Sequence, residues 1–280
     1  MSGIDYFISE AETFLNDRKP KQALEWALKA LNIDAASPEA NMLAGIACYR
    51  LRNKKHALKY FEKCLPKVKT LPEWMNMYAV ALSYNNRNSD ALEVFKEIVT
   101  NFLDFTEIYF NYGHCLMMEE KWAEAILEYD KAEACGYAGG ELYFDRGACK
   151  FNLQEFATAE IDLLKACELK PDHVQAVFAL GEIKMKKGLW EKAVEYFSQV
   201  LFFDPSHHKA LTQRLMARIQ IKDKNGLIVN REGAQADADK IIEFEIPFMS
   251  AQSKEGKKLE IMKLEIGEQG QVNIGVRPVE

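Results

Sequence analysis

Thiols and imidazoles are the side chains in this sequence best suited to covalent or metal chemistry. Six cysteines, Cys48, Cys64, Cys115, Cys135, Cys149 and Cys167, accompany five histidines, and no two cysteines stand at the C-x-x-C spacing of a zinc or redox site. His207 follows His173 at an interval of 34 with His208 adjoining, and three imidazoles on one edge could hold a metal. No cysteine or carboxylate joins them at ligand spacing, so they read as solvated turn residues, and no metal or other cofactor is expected. Cys149 follows Cys115 at the same interval. With apolar neighbours and no partner base they read as buried thiols rather than nucleophiles. The nucleophile elbow, the phosphate loop, the H-E-x-x-H zinc motif and the G-x-G-x-x-G turn are all missing from the sequence. The carboxylates fall beside lysines on what should be helix surfaces, and an enzyme is not expected.

The interval of 34 that links these residues runs through most of the chain. One row of small residues reads Ala11, Gly45, Ala79, Gly113, Gly147 and Gly181; a second is alanine throughout, at Ala23, Ala57, Ala91, Ala125, Ala159 and Ala193. A third is mostly large, at Ala27, Phe61, Phe95, Tyr129, Leu163 and Phe197, and a fourth is small or aliphatic, at Ala30, Cys64, Ile98, Ala132, Ala166 and Val200. Six units therefore span 4–207 without insertion or deletion. Within the fourth unit, Tyr109, Tyr112, Gly113 and Leu116 have the i, i+3, i+4, i+7 spacing of one helix face, and Trp122, Ala125, Tyr129 and Ala132 repeat it. Each unit is predicted to be a helix, a tight turn and an antiparallel helix. The small residues let the paired backbones approach, and stacking of units builds a continuous core.

These rows, the period, and the prolines Pro171 and Pro205 closing two units resemble tetratricopeptide repeats. The resemblance implies an all-α solenoid, a right-handed superhelix of helix pairs. The chain departs from the family pattern where a tryptophan is common early in the first helix, since that row reads Phe7, Asn41, Met75, Tyr109, Tyr143 and Val177. Family members that capture a C-terminal carboxylate carry a Lys/Asn/Arg clamp. The matching positions here are Ile8, Glu12, Leu43, Glu73 and Met77, so a cochaperone role of that kind is disfavoured. The acids Asp5, Glu39, Glu73, Glu107 and Glu141 recur near first-helix N-termini, where the helix dipole stabilises them.

After the sixth unit, residues 208–222 form a basic amphipathic segment with Leu211, Leu215 and Ile219 on one face and Lys209, Arg214, Arg218 and Lys222 on the rest. It reads as a capping helix, the rival being a dock for an acidic partner. The remainder, 227–280, reads as a small β segment. Ile242, Phe244, Ile246 and Phe248 alternate with acids as in a half-buried strand, and Pro247 suits a sheet edge. Lys257–Ile266 slips in alternation near Ile261 and Met262, which suggests a bulged strand hairpinned through Gly267–Gly270 to 271–276. So short a segment must pack on the solenoid or on a partner.

With 48% hydrophobic and 28% charged residues the chain is of ordinary globular type, and its net charge of −6 argues against nucleic acid. No apolar run approaches a membrane span, the opening segment lacks the character of a secretory signal, and unpaired cysteines suit the cytoplasm. The surface expected to carry function is the inner wall made by the first helices. Its rows are Ile8, Met42, Asn76, Phe110, Phe144 and Phe178; then Leu15, Tyr49, Ser83, Met117, Phe151 and Met185; then Glu12, Ile46, Val80, His114, Ala148 and Glu182. Aromatic and Met side chains concentrate in units four to six, which nominates Phe110, His114, Met117, Phe144, Phe151, Phe178 and Met185 as a partner-binding groove. The function expected is a non-enzymatic adaptor or scaffold that grips an apolar or aromatic protein segment. The alternatives are an export or assembly chaperone for an aggregation-prone client, or a scaffold self-assembling through the C-terminal β segment.

Overall fold

The computed structural model describes residues 3–65, 71–102, 106, 108–249 and 259–278. The chain divides into two compact units, Met1–Ala138 and Gly139–Glu280. In the first lie α1 (Gly3–Asn16), α2 (Pro20–Ile33), α3 (Pro38–Arg50), α4 (Lys54–Lys63), α5 (Pro72–Tyr84), α6 (Asn88–Asn101), α7 (Ile108–Met118) and α8 (Trp122–Ala134). In the second are α9 (Gly140–Asn152), α10 (Phe156–Leu169), α11 (Val174–Lys186), α12 (Trp190–Phe203), α13 (His208–Gln220), α14 (Arg231–Met249), β1 (Leu259–Ile266) and β2 (Val272–Pro278). Odd and even helices pair, and within each unit the odd helices also lie side by side.

The pairs close on the small row. A Cβ added to Gly45 would stand 2.4 Å from the Phe61 ring, and one added to Gly181 would stand 2.6 Å from Phe197. Both rings are buried, as are all six alanines of the second row. Helix starts carry Pro20, Pro38 and Pro72, whose fixed φ suits the first turn. Asp5, Glu39, Glu73 and Glu141 stand in the first turns of α1, α3, α5 and α9, while Glu107 lies outside the described residues.

Every turn inside these six pairs has one construction. Arg18, Arg52, Asn86, Glu120, Gln154 and Gly188, one per repeat, all have positive φ. The residue after each donates its N–H five residues back, as Lys19 does to Phe14 O (2.8 Å) and Leu189 to Lys184 O (2.9 Å). This is a helix ending through a left-handed residue, and only one of the six is glycine.

The second unit differs from expectation at its end. The polar stretch from Arg231 and the alternating stretch Ile241–Met249 form one helix, α14, not a loop and a strand. Ala234, Ala238 and Ile241 have i, i+4, i+7 spacing and pack toward α13. Asn230 Oδ1 accepts from the Gly233 N–H (2.8 Å) and starts the helix. Pro247 therefore lies in a helical turn rather than at a sheet edge. Helix α13 (from His208) follows α11 (from Val174) at the repeat interval, whereas α14 (from Arg231) follows α12 (from Trp190) seven positions late. The α13–α14 pair is thus a seventh unit with a longer connection. With that shift Leu215 takes the place of the glycines and Ala238 the place of Phe197. Large and small are exchanged, and both residues are buried in one cluster.

Helix α13 is consequently not the terminal cap, and its arginines point inward. Arg214 grips Asp237 through Nε (3.1 Å) and Nη2 (2.6 Å), and Arg218 Nη1 reaches the same carboxylate at 2.6 Å. The α9–α10 pair has the same clasp. There Arg146 donates twice to Asp162 (2.9 and 2.8 Å) and Lys150 Nζ adds a third bond (2.7 Å). Beyond α14 the hairpin pairs Ile266 with Val272 and Leu259 with Pro278, and its register shifts between Ile261 and Lys263, placing the bulge at Met262. Gln235 of α14 treats β1 as a neighbouring strand would. Its Nε2 donates to Leu264 O (2.6 Å), and its Oε1 accepts from the Ile266 N–H (3.0 Å).

Candidate partner-binding surface

All seven nominated residues are half-buried. In the first unit Phe110 stacks on Tyr137 (4.7 Å between ring centroids) and packs against Tyr129 (5.9 Å), whose hydroxyl lies 3.9 Å from Met117 Sδ. In the second unit Phe144 packs on His173 (4.6 Å), Phe178 on His207 (5.1 Å) and Phe197 (5.5 Å), and Phe151 on Phe156 (5.5 Å). One face of each phenylalanine is thus committed to the fold, and the earlier row member Met42 is fully buried.

His173 and His207 are helix caps rather than solvated turn residues. The Ala176 N–H donates to His173 Nδ1 (3.3 Å), and the Ala210 N–H donates to His207 Nδ1 (3.1 Å). Each imidazole starts a first helix while packing on the phenylalanine of the preceding repeat, tilted at His173 and stacked at His207. Burial, aided by the nearby Lys170 charge, holds His173 below the usual histidine range. Among the described residues no group of three His, Cys, Asp or Glu could hold a metal. Burial pushes the thiols of Cys64 and Cys115 up to about 11 and that of Cys149 up to about 12, which keeps them protonated at neutral pH. On the third inner row, burial raises the Glu182 carboxyl, with Lys209 and Lys186 acting in the opposite sense.

The first unit holds a hollow of 310 Å³ that uses the same three rows one and two repeats before the phenylalanines. Ile46, Tyr49, Phe61, Met77 and Val80 supply its apolar lining, and Arg50, Asn76 and Asn111 its polar groups. Asn111 Nδ2 donates to Asn76 Oδ1 (3.1 Å), and Tyr49 packs edge-on to Tyr84 (5.5 Å). A smaller hollow of 200 Å³ lies beside Phe110, between Thr106 and Tyr137. The sequence nominates neither Arg50 nor the asparagine pair, because Asn76 interrupts an otherwise apolar row. The signal available was that Asn111 stands one position past the repeat of Asn76, on the adjoining row.

Paired antiparallel helices that recur at one fixed interval define a helix-pair repeat protein. Two tetratricopeptide-repeat profiles match, one over residues 11–102 and the other over 77–139 and 140–208; the chain belongs to the tetratricopeptide-repeat family. Mitochondrial import receptor subunit TOM70 of Mus musculus is 25% identical over 189 residues, 65% of this chain and 29% of that protein. The Hsp70-Hsp90 organizing protein of Triticum aestivum is 24% identical over 131 residues, 47% of this chain and 22% of that one. The chain thus spans less than a third of the length of these relatives. Among solved structures, pilF of Pseudomonas aeruginosa aligns with a TM-score of 0.62 at 16% identity, covering 76% of this chain and 95% of that one. MamA of Desulfovibrio magneticus RS-1 aligns with a TM-score of 0.55 at 19% identity, covering 61% and 96%. These structures share the fold with this chain. No described helix is long and apolar enough to cross a membrane.

Proposed function

We propose that this chain is a non-enzymatic adaptor whose first helices hold a segment of a partner protein. The observation that carries this reading is the 310 Å³ hollow on the inner rows of the first unit, a size that admits one or two side chains. The half-buried residues Phe110, His114 and Met117 continue those rows in that unit, and Phe144, Phe151, Phe178 and Met185 do so in the second. Their exposed faces are aromatic or thioether, the side chains favoured at interface centres. Membership of a family whose relatives include an import receptor and a chaperone organiser supports a protein partner.

The test places a photo-cross-linking side chain at one position at a time in the native cell. Adducts to one partner are expected from Met117, Phe151 and Met185, and none from Leu127 or Ile161, which are exposed on second helices. Adducts from the second-helix positions alone would overturn the assignment of the surface.

A further inference from the structure

The hollow in the first unit is chemically lopsided. Five apolar side chains form its body, no carboxylate lines it, and its one charge is the Arg50 guanidinium. Arg50 spends one donor, Nη1, on the Leu15 carbonyl at the end of α1, and its other N–H groups have no acceptor among the described residues. The same arginine lines a second hollow of 480 Å³ with Leu15, Asn16, Arg18 and Pro20, again without a carboxylate. Two hollows free of acid that share an arginine stand out in a chain with 42 Asp and Glu against 36 Lys and Arg. The Asn111–Asn76 bond leaves Asn76 Nδ2 and Asn111 Oδ1 without a second partner among the described residues, so one donor and one acceptor remain for a peptide unit.

We propose that these two hollows bind an extended acidic peptide segment. An aliphatic side chain enters among Ile46, Met77 and Val80, and the following Asp or Glu side chain pairs with Arg50. Further acidic residues pass toward Arg18. Arg50 is exposed, and a guanidinium suits a planar carboxylate, which accepts from two of its N–H groups at once. The carboxylate belongs to an internal side chain rather than a chain terminus, because Arg50 lines both hollows and the second offers a further cation, Arg18, to acids beyond it. This rests on the adaptor reading above and gives that reading a ligand class.

The experiment selects displayed random linear peptides against the intact chain and measures the enriched ones, made with acetylated and amidated ends, by fluorescence anisotropy. Enriched peptides are expected to carry an aliphatic residue followed by Asp or Glu. Arg50→Ala should weaken binding about tenfold or more, the loss of one charge-assisted pair, and replacing the peptide acid by its amide should do the same. The two changes together should weaken it no further than either alone. Asn111→Asp, which leaves the Arg50–Leu15 bond untouched, should weaken the same peptides by adding a like charge. Peptides that bind independently of Arg50 would overturn the inference and leave the adaptor reading standing, as would a requirement for a free C-terminal carboxylate. Failure of a fully helical protein to enrich any peptide would remove both.

Discussion

At the scale of single residues, the fold depends on contacts that admit no spare atom. Gly181 meets the buried Phe197 ring where a Cβ would stand at 2.6 Å. Gly181→Ala is expected to cost about 1–3 kcal/mol in chemical denaturation, with part recovered by a second change, Phe197→Leu, that shortens the opposing side chain. Glu120 stands at the other extreme, an exposed residue in a left-handed turn conformation. Glu120→Gly should stabilise the protein by about 0.5–1 kcal/mol, since glycine adopts that conformation without a Cβ penalty; a lower melting midpoint would refute this. His173 gives a pH dependence. Its Nδ1 accepts the capping hydrogen bond, so the folded protein needs the neutral ring, and its folded pKa lies below that of the unfolded chain. Below about pH 6.5 the unfolded chain takes up a proton that the folded one refuses, so stability falls as pH drops from there toward the folded pKa. His173→Asn, which keeps an acceptor at the cap, should flatten that part of the stability–pH curve.

At the scale of elements, helix pairs are held by the small-to-large rows, and in α9–α10 and α13–α14 also by two cations on one buried aspartate. The hairpin is held by Gln235, which occupies the outer edge of β1 at Leu264 and Ile266. Gln235→Ala should leave helical content unchanged while the Ile266 amide loses protection in hydrogen exchange. How far this was legible in sequence varies by element. The helix pairs are plain because four rows repeat without a gap; the slip in alternation near Met262 leaves strand and helix both open over 257–266, and the structure has the bulged strand. The left-handed turn residues were hidden, as five of the six are not glycine. Helix α14 was missed because alternation over Ile242–Phe248 was weighed by itself, whereas Ala234, Asp237, Ala238 and Ile241 already marked a helix face. Arg214, Arg218 and Asp237 reproduce Arg146, Lys150 and Asp162 once the longer connection is allowed for, and that offset concealed the seventh pair. Of the candidate surface, the spacing of its rows is read directly from the sequence. The packing of Phe144 and Phe178 on histidine caps is not, because it joins one repeat to the turn before the next.

At the scale of the whole molecule, the helix pairs of each unit pack on their neighbours in sequence, so stability is a chain of local sums rather than one cooperative quantity. Asp237→Asn would leave Arg214 and Arg218 facing a neutral amide in a buried setting, a loss of about 3–5 kcal/mol. The expected outcome is fraying confined to α13, α14 and the hairpin, with amides of α1–α8 exchanging at unchanged rates. Uniform acceleration across the chain would show a single cooperative fold instead.

The exchange of large for small in the seventh pair bears on how such a chain can lengthen or shorten. Units with Gly or Ala on the first helix and a bulky residue on the second share one internal contact, which the first unit, with Ala27, lacks, so duplicating one of these whole repeats leaves that contact matched. A recombination joining α11 to α14 would set Gly181 where Leu215 stands and leave a void beside Ala238. The reverse joint, α13 to α12, would drive Leu215 into Phe197. On these grounds a repeat with the small-to-large contact can be duplicated whole, whereas α13 and α14 must be kept together.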